Sequence, residues 1–288
     1  MLSLRLRQKM TVDPGHNGYF DLCCDKIQGM MISQFAEQLG RESLKALKNL
    51  IAVLDLISYS ARNMKVLRIV PVRTVLNKQL FFTGIEAMNK IALIGAVIGI
   101  VIITQISNLA GQNAELTGKI LVWTVVRELG PLLAAIIIIA RSGTAISSEL
   151  GSMGVNREMD NLTMMGINFM DYLIVPRIAG ITVSVFILTI YFQIIAIGGG
   201  MALSSLLIQL PFLQHMEGIF SSLRIYDILV SLFKSLVFGI IISAVACTHG
   251  LMVRDSITEI PQAATRAVMQ SLFLVIISDG IITVLAYI

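Results

Sequence analysis

The sequence predicts an all-α integral membrane protein, with an N-terminal amphipathic interfacial helix and about five transmembrane helices. Three observations carry this prediction. Of 288 residues, 56% are hydrophobic and only 14% are charged, where a soluble domain carries about 25% charged residues. The mean hydropathy is +0.81. The charges are also unevenly placed, since twelve of the 22 Lys and Arg precede Glu86. Basic residues beside membrane segments favour the cytoplasmic side. The N-terminus is therefore expected in the cytoplasm and, after five spans, the C-terminus in the periplasm.

Residues 1–25 read as a loose tail, because positions 13–18 run Asp-Pro-Gly-His-Asn-Gly, a turn-forming series. Arg5, Arg7 and Lys9 precede no apolar run, so no secretory leader is expected. Residues 26–80 form the amphipathic, interfacial region. Ile27, Met30, Met31, Phe35 and Leu39 recur at helical spacing, and after Gly40 the series resumes with Leu44, Leu47, Leu50, Leu54 and Ile57. Lys45 and Lys48 lie between them, which suits a helix resting in the headgroup layer. A soluble helix packed on a partner fits the same pattern.

Residues 81–288 form the membrane domain. The first span covers about 84–106. Its uncharged stretch, 91–103, is shorter than the about 20 residues a bilayer requires. The span therefore extends back past Lys90 and Glu86, which snorkel at the cytoplasmic edge. Ala92 with Ala96 and Gly95 with Gly99 are small-xxx-small pairs that permit close helix contact. Residues 107–117 are polar and read as an external loop. The second span, about 118–146, has Arg127-Glu128 before its uncharged run and Arg141 after it, so charge enters the bilayer or its edge. Pro131 predicts a kink or a helix restart there.

Residues 147–175 read as a cytoplasmic loop containing a short helix at about 155–165. Positions 178–216 hold no Lys, Arg, Asp or Glu. Gly198-Gly199-Gly200 and Pro211 break that stretch into a third span, about 176–203, and an external segment. The fourth span is about 228–248, with Lys234 inside it. Residues 249–266 read as a second cytoplasmic loop, and the fifth span is about 267–288, with Asp279 as its charge.

The chain has no G-x-x-x-x-G-K-[ST] loop, so it is not expected to bind or hydrolyse nucleotide alone. Cys23, Cys24 and Cys247 make no disulfide framework and no metal cluster. His16, His215 and His249 are isolated. The basic residues form no nucleic-acid surface. The informative residues are the ionisable ones in spans, each costing on the order of 3 kcal/mol at a helix centre. Lys234 and Asp279 lie at compatible depths on consecutive helices, which predicts an intramembrane ion pair. It serves either as a lock between two helices or as part of a transport path. Arg127 and Glu128 point about 100° apart on a helix and cannot share one partner. They fit a polar site for an amphiphile near the outer leaflet, or a helix-end pair at the interface.

The run RELGPLLAAIIIIARSGTAISSELGSMGVNREMDNLTMMGIN, residues 127–168, resembles the signature region of MlaE/YrbE-type permeases. The similarity continues through Pro176-Arg177, residues 234–239 (KSLVFG), residues 264–268 (ATRAV) and Asp279, and covers roughly 75–288. These permeases are the membrane subunits of ABC transporters associated with MCE proteins in the bacterial inner membrane. The resemblance implies a homodimer that works with an ABC ATPase, an MCE-domain protein and, in some members, a STAS-domain protein. Its cargo is lipid, typically phospholipid. ATP and Mg would be bound by the ATPase, with no cofactor held by this chain.

The helix at 155–165 then corresponds to the coupling helix, with Arg157, Glu158, Met159, Asp160 and Leu162 facing the ATPase. Its Glu158-Met159-Asp160-Asn161-Leu162 resembles the family's E-x-(I/M)-D-A-L, with Asn161 in place of the small residue. Arg127 and Glu128 map to the lipid-binding cavity. Two departures stand out. Residues 104–107 read Thr-Gln-Ile-Ser where the family has an L-Q-G-like turn, and the tail 1–25 has no counterpart and is too short for a fused STAS domain. The competing expectations are an ion-coupled secondary transporter using Lys234 and Asp279, and a membrane scaffold that transports nothing.

Overall fold

A computed structural model describes residues 48–110, 114–208, 217–219, 221–254 and 256–287. The tail 1–25 and the first part of the interfacial region, 26–47, lie outside the described residues. The chain divides into two compact units, Met1–Ile51 and Ala52–Ile288. Of the first, residues 48–51 are described and are helical. Everything below concerns the second.

Among the described residues there are helices and no strands. In a bilayer no water reaches a stray N–H or C=O, so a spanning segment must satisfy its own backbone, and the helix does so. Helix α1 covers residues 52–62 and leads to a 3₁₀ turn, Met64–Arg68. Then follow α2 (Val70–Ile106), α3 (Leu116–Val155), α4 (Glu158–Met164), α5 (Met170–Leu203), α6 (Ile225–Leu251) and α7 (Ile257–Ala286). Five of these, α2, α3, α5, α6 and α7, are long and apolar enough to cross a membrane. The protein is a multi-pass membrane protein.

The helices outrun the bilayer. α3 has 40 residues, about 60 Å at 1.5 Å per residue, against a hydrocarbon core of about 30 Å. One consequence corrects the loop expected at 147–175. α3 continues to Val155 and α5 starts at Met170, so the connection is α4 with short flanks. Part of this stretch packs inside the bundle: Ser147 and Leu150 are fully buried. A Cβ on Gly250 would lie 2.7 Å from Leu150 Cβ, so α6 passes directly against this stretch. For the same reason the expected loop at 249–266 shrinks, with α6 running to Leu251 and α7 starting at Ile257.

α5 and α6 form the centre. Half of the apolar window of α3, α5 and α6 is buried within the chain, against 28% for α2 and 11% for α7. Phe192, Leu188 and Ile181 of α5 meet Phe238 and Ile242 of α6 in one core. α2 joins through small residues. A Cβ on Gly99 would come 2.1 Å from Ala196 O, so α2 and α5 touch backbone to backbone. α7 leaves Met269, Phe273, Ile276, Val284 and Leu285 exposed.

Helix α1 is fixed at the α4 end of the bundle. Val53 packs with Ala244 and Val245 of α6. Tyr59 Oη and Asn63 Nδ2 each donate to Asp171 Oδ1 at 2.9 Å, and Asn168 Nδ2 donates to Tyr59 Oη at 3.0 Å. Asn168 and Asp171 lie just after α4, so α1 and the α4 segment are tied together.

Gly99→Ile tests the α2–α5 contact. The added side chain meets backbone that cannot yield, and overpacking of this kind costs about 1–3 kcal/mol. Thermal unfolding of the purified protein in detergent should drop by several degrees. Gly198→Ala, where a Cβ meets nothing within 4 Å, should leave it unchanged.

Candidate functional site

The site begins with a break in α3. Residues Val122–Leu129 form a π turn, and an α-helix resumes at Gly130–Ile138. The Gly130 N–H closes on Val125 O, five residues back. Position 131 is proline and has no N–H. It can donate neither to Val126 O, its partner in the π register, nor to Arg127 O, its partner in the α register. Side chains donate to both carbonyls. Gln193 Nε2 of α5 donates to Val126 O at 3.1 Å, and Lys234 Nζ of α6 donates to Arg127 O at 3.2 Å. The Gln193 amide also donates to Ser231 Oγ at 2.6 Å. Gly130 makes room, since a Cβ there would lie 2.8 Å from Gln193 Cγ.

The Lys234 side chain is 0% exposed. Its ammonium donates to Glu128 Oε2 at 2.8 Å and to Thr283 Oγ1 at 2.7 Å. Asp279 Oδ1 is also 2.8 Å away but outside hydrogen-bonding angles, so that contact is Coulombic. Thr283 stands one turn beyond Asp279 on α7, on the same face. Its hydroxyl lies 3.2 Å from Glu128 Oε2 and 2.9 Å from Asp279 O, with one proton for the two acceptors. One ammonium is thus shared by two carboxyl groups and a hydroxyl from α3 and α7.

Lys234 and Asp279, paired in the sequence analysis, are in contact here. Arg127 and Glu128, taken there as a unit, part company. Glu128 turns to Lys234. Arg127 lies 3.8 Å from Asp227 Oδ1 through Nε, and its guanidinium carbon sits 5.3 Å from the centre of the Trp123 ring. Arg127 lines a cavity of about 670 Å³ together with Lys119, Trp123, Arg224, Tyr226 and Asp227. This cavity lies where α3 and α6 begin and α7 ends, the end of the bundle away from α4. Glu128 does not line it, and its side chain is 36% exposed.

The residues expected to face an ATPase, Arg157, Glu158, Met159, Asp160 and Leu162, lie at the opposite end. Arg157 precedes α4 in the left-handed conformation, φ 57°, a strained geometry for a non-glycine residue. It turns the chain sharply between α3 and α4. Glu158 and Asp160 occupy the first turn of α4, where carboxylates suit the positive end of a helix. Met159 and Leu162 pack on the core, leaving the two acids outward. Arg157, Met159 and Asp160 line a second cavity, about 330 Å³, with Arg254. Among the described residues no cluster of His, Cys, Asp and Glu could hold a metal ion.

Sequence reasoning missed Gln193, Ser231, Thr283 and Asp227. For Gln193 a signal existed: Pro131 announces carbonyls in need of donors, and Gln193 is the lone amide in a long uncharged stretch before Gly198. Thr283 follows from the i, i+4 relation to Asp279. Asp227 gave no signal, because it sits at the first turn of a span where an acid is ordinary.

Lys234→Met tests the cluster. It leaves Glu128 and Asp279 without their cation and Arg127 O without a donor. Removing one partner of a buried ion pair costs about 3–5 kcal/mol. Thr283→Val removes one hydroxyl and should cost about 1 kcal/mol. Thermal unfolding in detergent should rank Lys234→Met well below Thr283→Val; equal melting temperatures would remove Lys234 from the centre of the cluster.

Comparison with known proteins adds an independent finding. The family model described as Permease MlaE matches residues 76–285. The chain is 31% identical over 204 residues to a probable ABC transporter permease protein of Synechocystis sp., covering 70% of this chain and 78% of that one. It is 26% identical over 261 residues to a probable ABC transporter permease protein of Rickettsia typhi, covering 89% and 99%. It is also 28% identical over 209 residues to the chloroplastic protein TRIGALACTOSYLDIACYLGLYCEROL 1 of Arabidopsis thaliana, covering 72% and 59%.

Proposed function

The chain belongs to the MlaE permease family, the membrane subunits of ABC transporters, and from that premise we propose that it moves lipids, phospholipids foremost, between the inner membrane and the outer envelope of a bacterial cell. It works as a homodimer with a cytoplasmic ABC ATPase that binds ATP and Mg. An MCE-domain protein receives or delivers lipid at the other face, and a STAS-domain protein joins the ATPase where one is present. The N-terminus and α4 are cytoplasmic, and the far end, with the C-terminus, is periplasmic.

The observation that carries this reading is the cavity of about 670 Å³ at the far end. Lys119, Arg127 and Arg224 bring three cations to its wall beside one acid, Asp227, which suits a phosphate-bearing headgroup. Trp123 and Tyr226 are amphipathic rings of the kind found at headgroup depth. The apolar face of α7, 11% buried within the chain, supports a second copy or lipid tails as its neighbour. At the other end, the outward acids of α4 offer the ATPase a charged handle. The stroke is then mechanical. ATP-driven closure of the ATPase pair pushes α4. α3 and α5, which α4 joins, tilt, and the far cavity changes volume around the headgroup held by Arg127.

Two variants test the two ends. Glu158→Lys with Asp160→Lys should abolish co-purification of the ATPase and the lipid-stimulated hydrolysis of ATP, while the variant folds normally. Arg127→Ala should weaken binding of a fluorescent phospholipid by roughly tenfold, as loss of one charge-assisted contact implies. Intact coupling in the first variant, or unchanged phospholipid binding in the second, would contradict the assignment. The ion-coupled alternative through Lys234 and Asp279 makes a different demand. Liposome transport would then follow an imposed proton gradient without ATP.

A further inference from the structure

We infer that Gln193, held by Ser231, is a positioning residue for Arg127 and Glu128: its amide replaces the N–H that Pro131 lacks and so sets how the π turn carrying both residues is aimed. The functional consequence rests on the reading of Arg127 as a lipid contact, but the geometric claim does not. Pro131 has no N–H to offer Val126 O, its partner in the π register, or Arg127 O, its partner in the α register, and side chains donate to both. Lys234, already engaged with Glu128 and Thr283, serves Arg127 O. Gln193 serves Val126 O and is fixed by its second bond, to Ser231 Oγ. Gln193 is 9% exposed and Ser231 is fully buried, so water cannot stand in for either. A π turn can relax toward α by shifting its register one residue, which turns each side chain by about 100°. The Gln193 amide, anchored from α5 and α6, holds the register in which Glu128 faces Lys234 and Arg127 faces Trp123.

The chain contains one tryptophan, Trp123, and it lies within that turn beside Arg127. Its fluorescence therefore reports the register directly. The experiment compares Gln193→Leu in the wild-type background and in Pro131→Ala, where position 131 regains an N–H. The full-length protein in nanodiscs is read by Trp123 emission and acrylamide quenching, by fluorescent phospholipid binding, and by thermal unfolding. Thr189→Val, which removes a buried hydroxyl of the same helix bonded to Val185 O, is the packing control.

Gln193→Leu should shift Trp123 emission and weaken phospholipid binding by roughly tenfold, the loss expected when an aimed contact is misplaced. Both effects should shrink to less than half in Pro131→Ala. Ser231→Ala should shift emission in the same direction by less, and it carries the test if Gln193→Leu does not fold. Thr189→Val should lower the melting temperature without moving the emission. The inference is overturned if Gln193→Leu, or Ser231→Ala in its stead, lowers stability while Trp123 emission stays fixed, or if Pro131→Ala leaves the effect of Gln193→Leu undiminished. If wild-type protein binds no phospholipid, the lipid reading falls, and the Trp123 measurements still decide the positioning role.

Discussion

Lys234 carries a full charge to a place that water does not reach, and much of the bundle is arranged around that fact. Desolvating an ion costs several kcal/mol even after the protein relaxes. A carboxylate at 2.8 Å returns on the order of 6 kcal/mol at an effective dielectric of about 20. The two are close enough that geometry decides the sign. Here the ammonium meets Glu128, Thr283, Arg127 O and Asp279 within 3.2 Å. These partners come from α3 and α7, and Lys234 itself from α6. One cation thus fixes the mutual placement of three of the five spanning helices. It also donates to Arg127 O, a carbonyl of α3 whose partner in the α register, Pro131, has no N–H. The charge pairing and the helix break are therefore one constraint.

That constraint sits at one end of unusually long helices, and the segment read as facing an ATPase sits at the other. The spans contain π turns at Phe81–Ile85, Val122–Leu129, Ile139–Gly143, Met170–Ile174 and Ile195–Gly199. Each shifts the hydrogen-bond register and lets a helix bend without exposing backbone to lipid. α3 and α5 hold four of the five, and these are the helices that α4 joins. α1 is bound to the same joint through Tyr59, Asn63 and Asp171. A push on α4 would thus act on α3, α5 and α1 together, with the π turns as the compliant points.

The sequence made the membrane class legible because composition alone exceeds what a soluble chain tolerates. It made five spans legible once Glu86 and Lys90 are allowed to snorkel at the edge of the first and Gly198–Gly200 with Pro211 end the third. It did not show how far the helices continue beyond those spans. Ser147, Ser148 and Ser152 look like loop residues, yet small hydroxyls pack well between close helices, and Ser147 is fully buried against α6. Polarity marks exposure in water but not inside a tight helix contact. The charged residues were legible individually and less so in their grouping. Lys234 with Asp279 followed from depth on consecutive helices. That Glu128 completes the set depends on which way one turn of a π-helix faces, and residue spacing read with an α period assigns that direction wrongly by up to a residue.

The same register argument bears on whether the cluster is a lock or a working part. A lock needs matched charges and a fixed frame. This cluster has one ammonium against two carboxyl groups. One of them, on Glu128, rides on a π turn two of whose carbonyls accept from side chains of other helices. Arg127, the next residue back, lines the far cavity. A change of register in that turn would move Arg127 relative to the cavity and Glu128 relative to Lys234 in one step, because the two are covalent neighbours. Asp279 would remain against the ammonium throughout. The arrangement is therefore asymmetric: Asp279 and Thr283 stand on a regular stretch of α7, and Glu128 stands on a π turn of α3. Through that turn, the wall of the cavity at Arg127 and the ammonium of Lys234 are joined by one peptide bond and one ion pair.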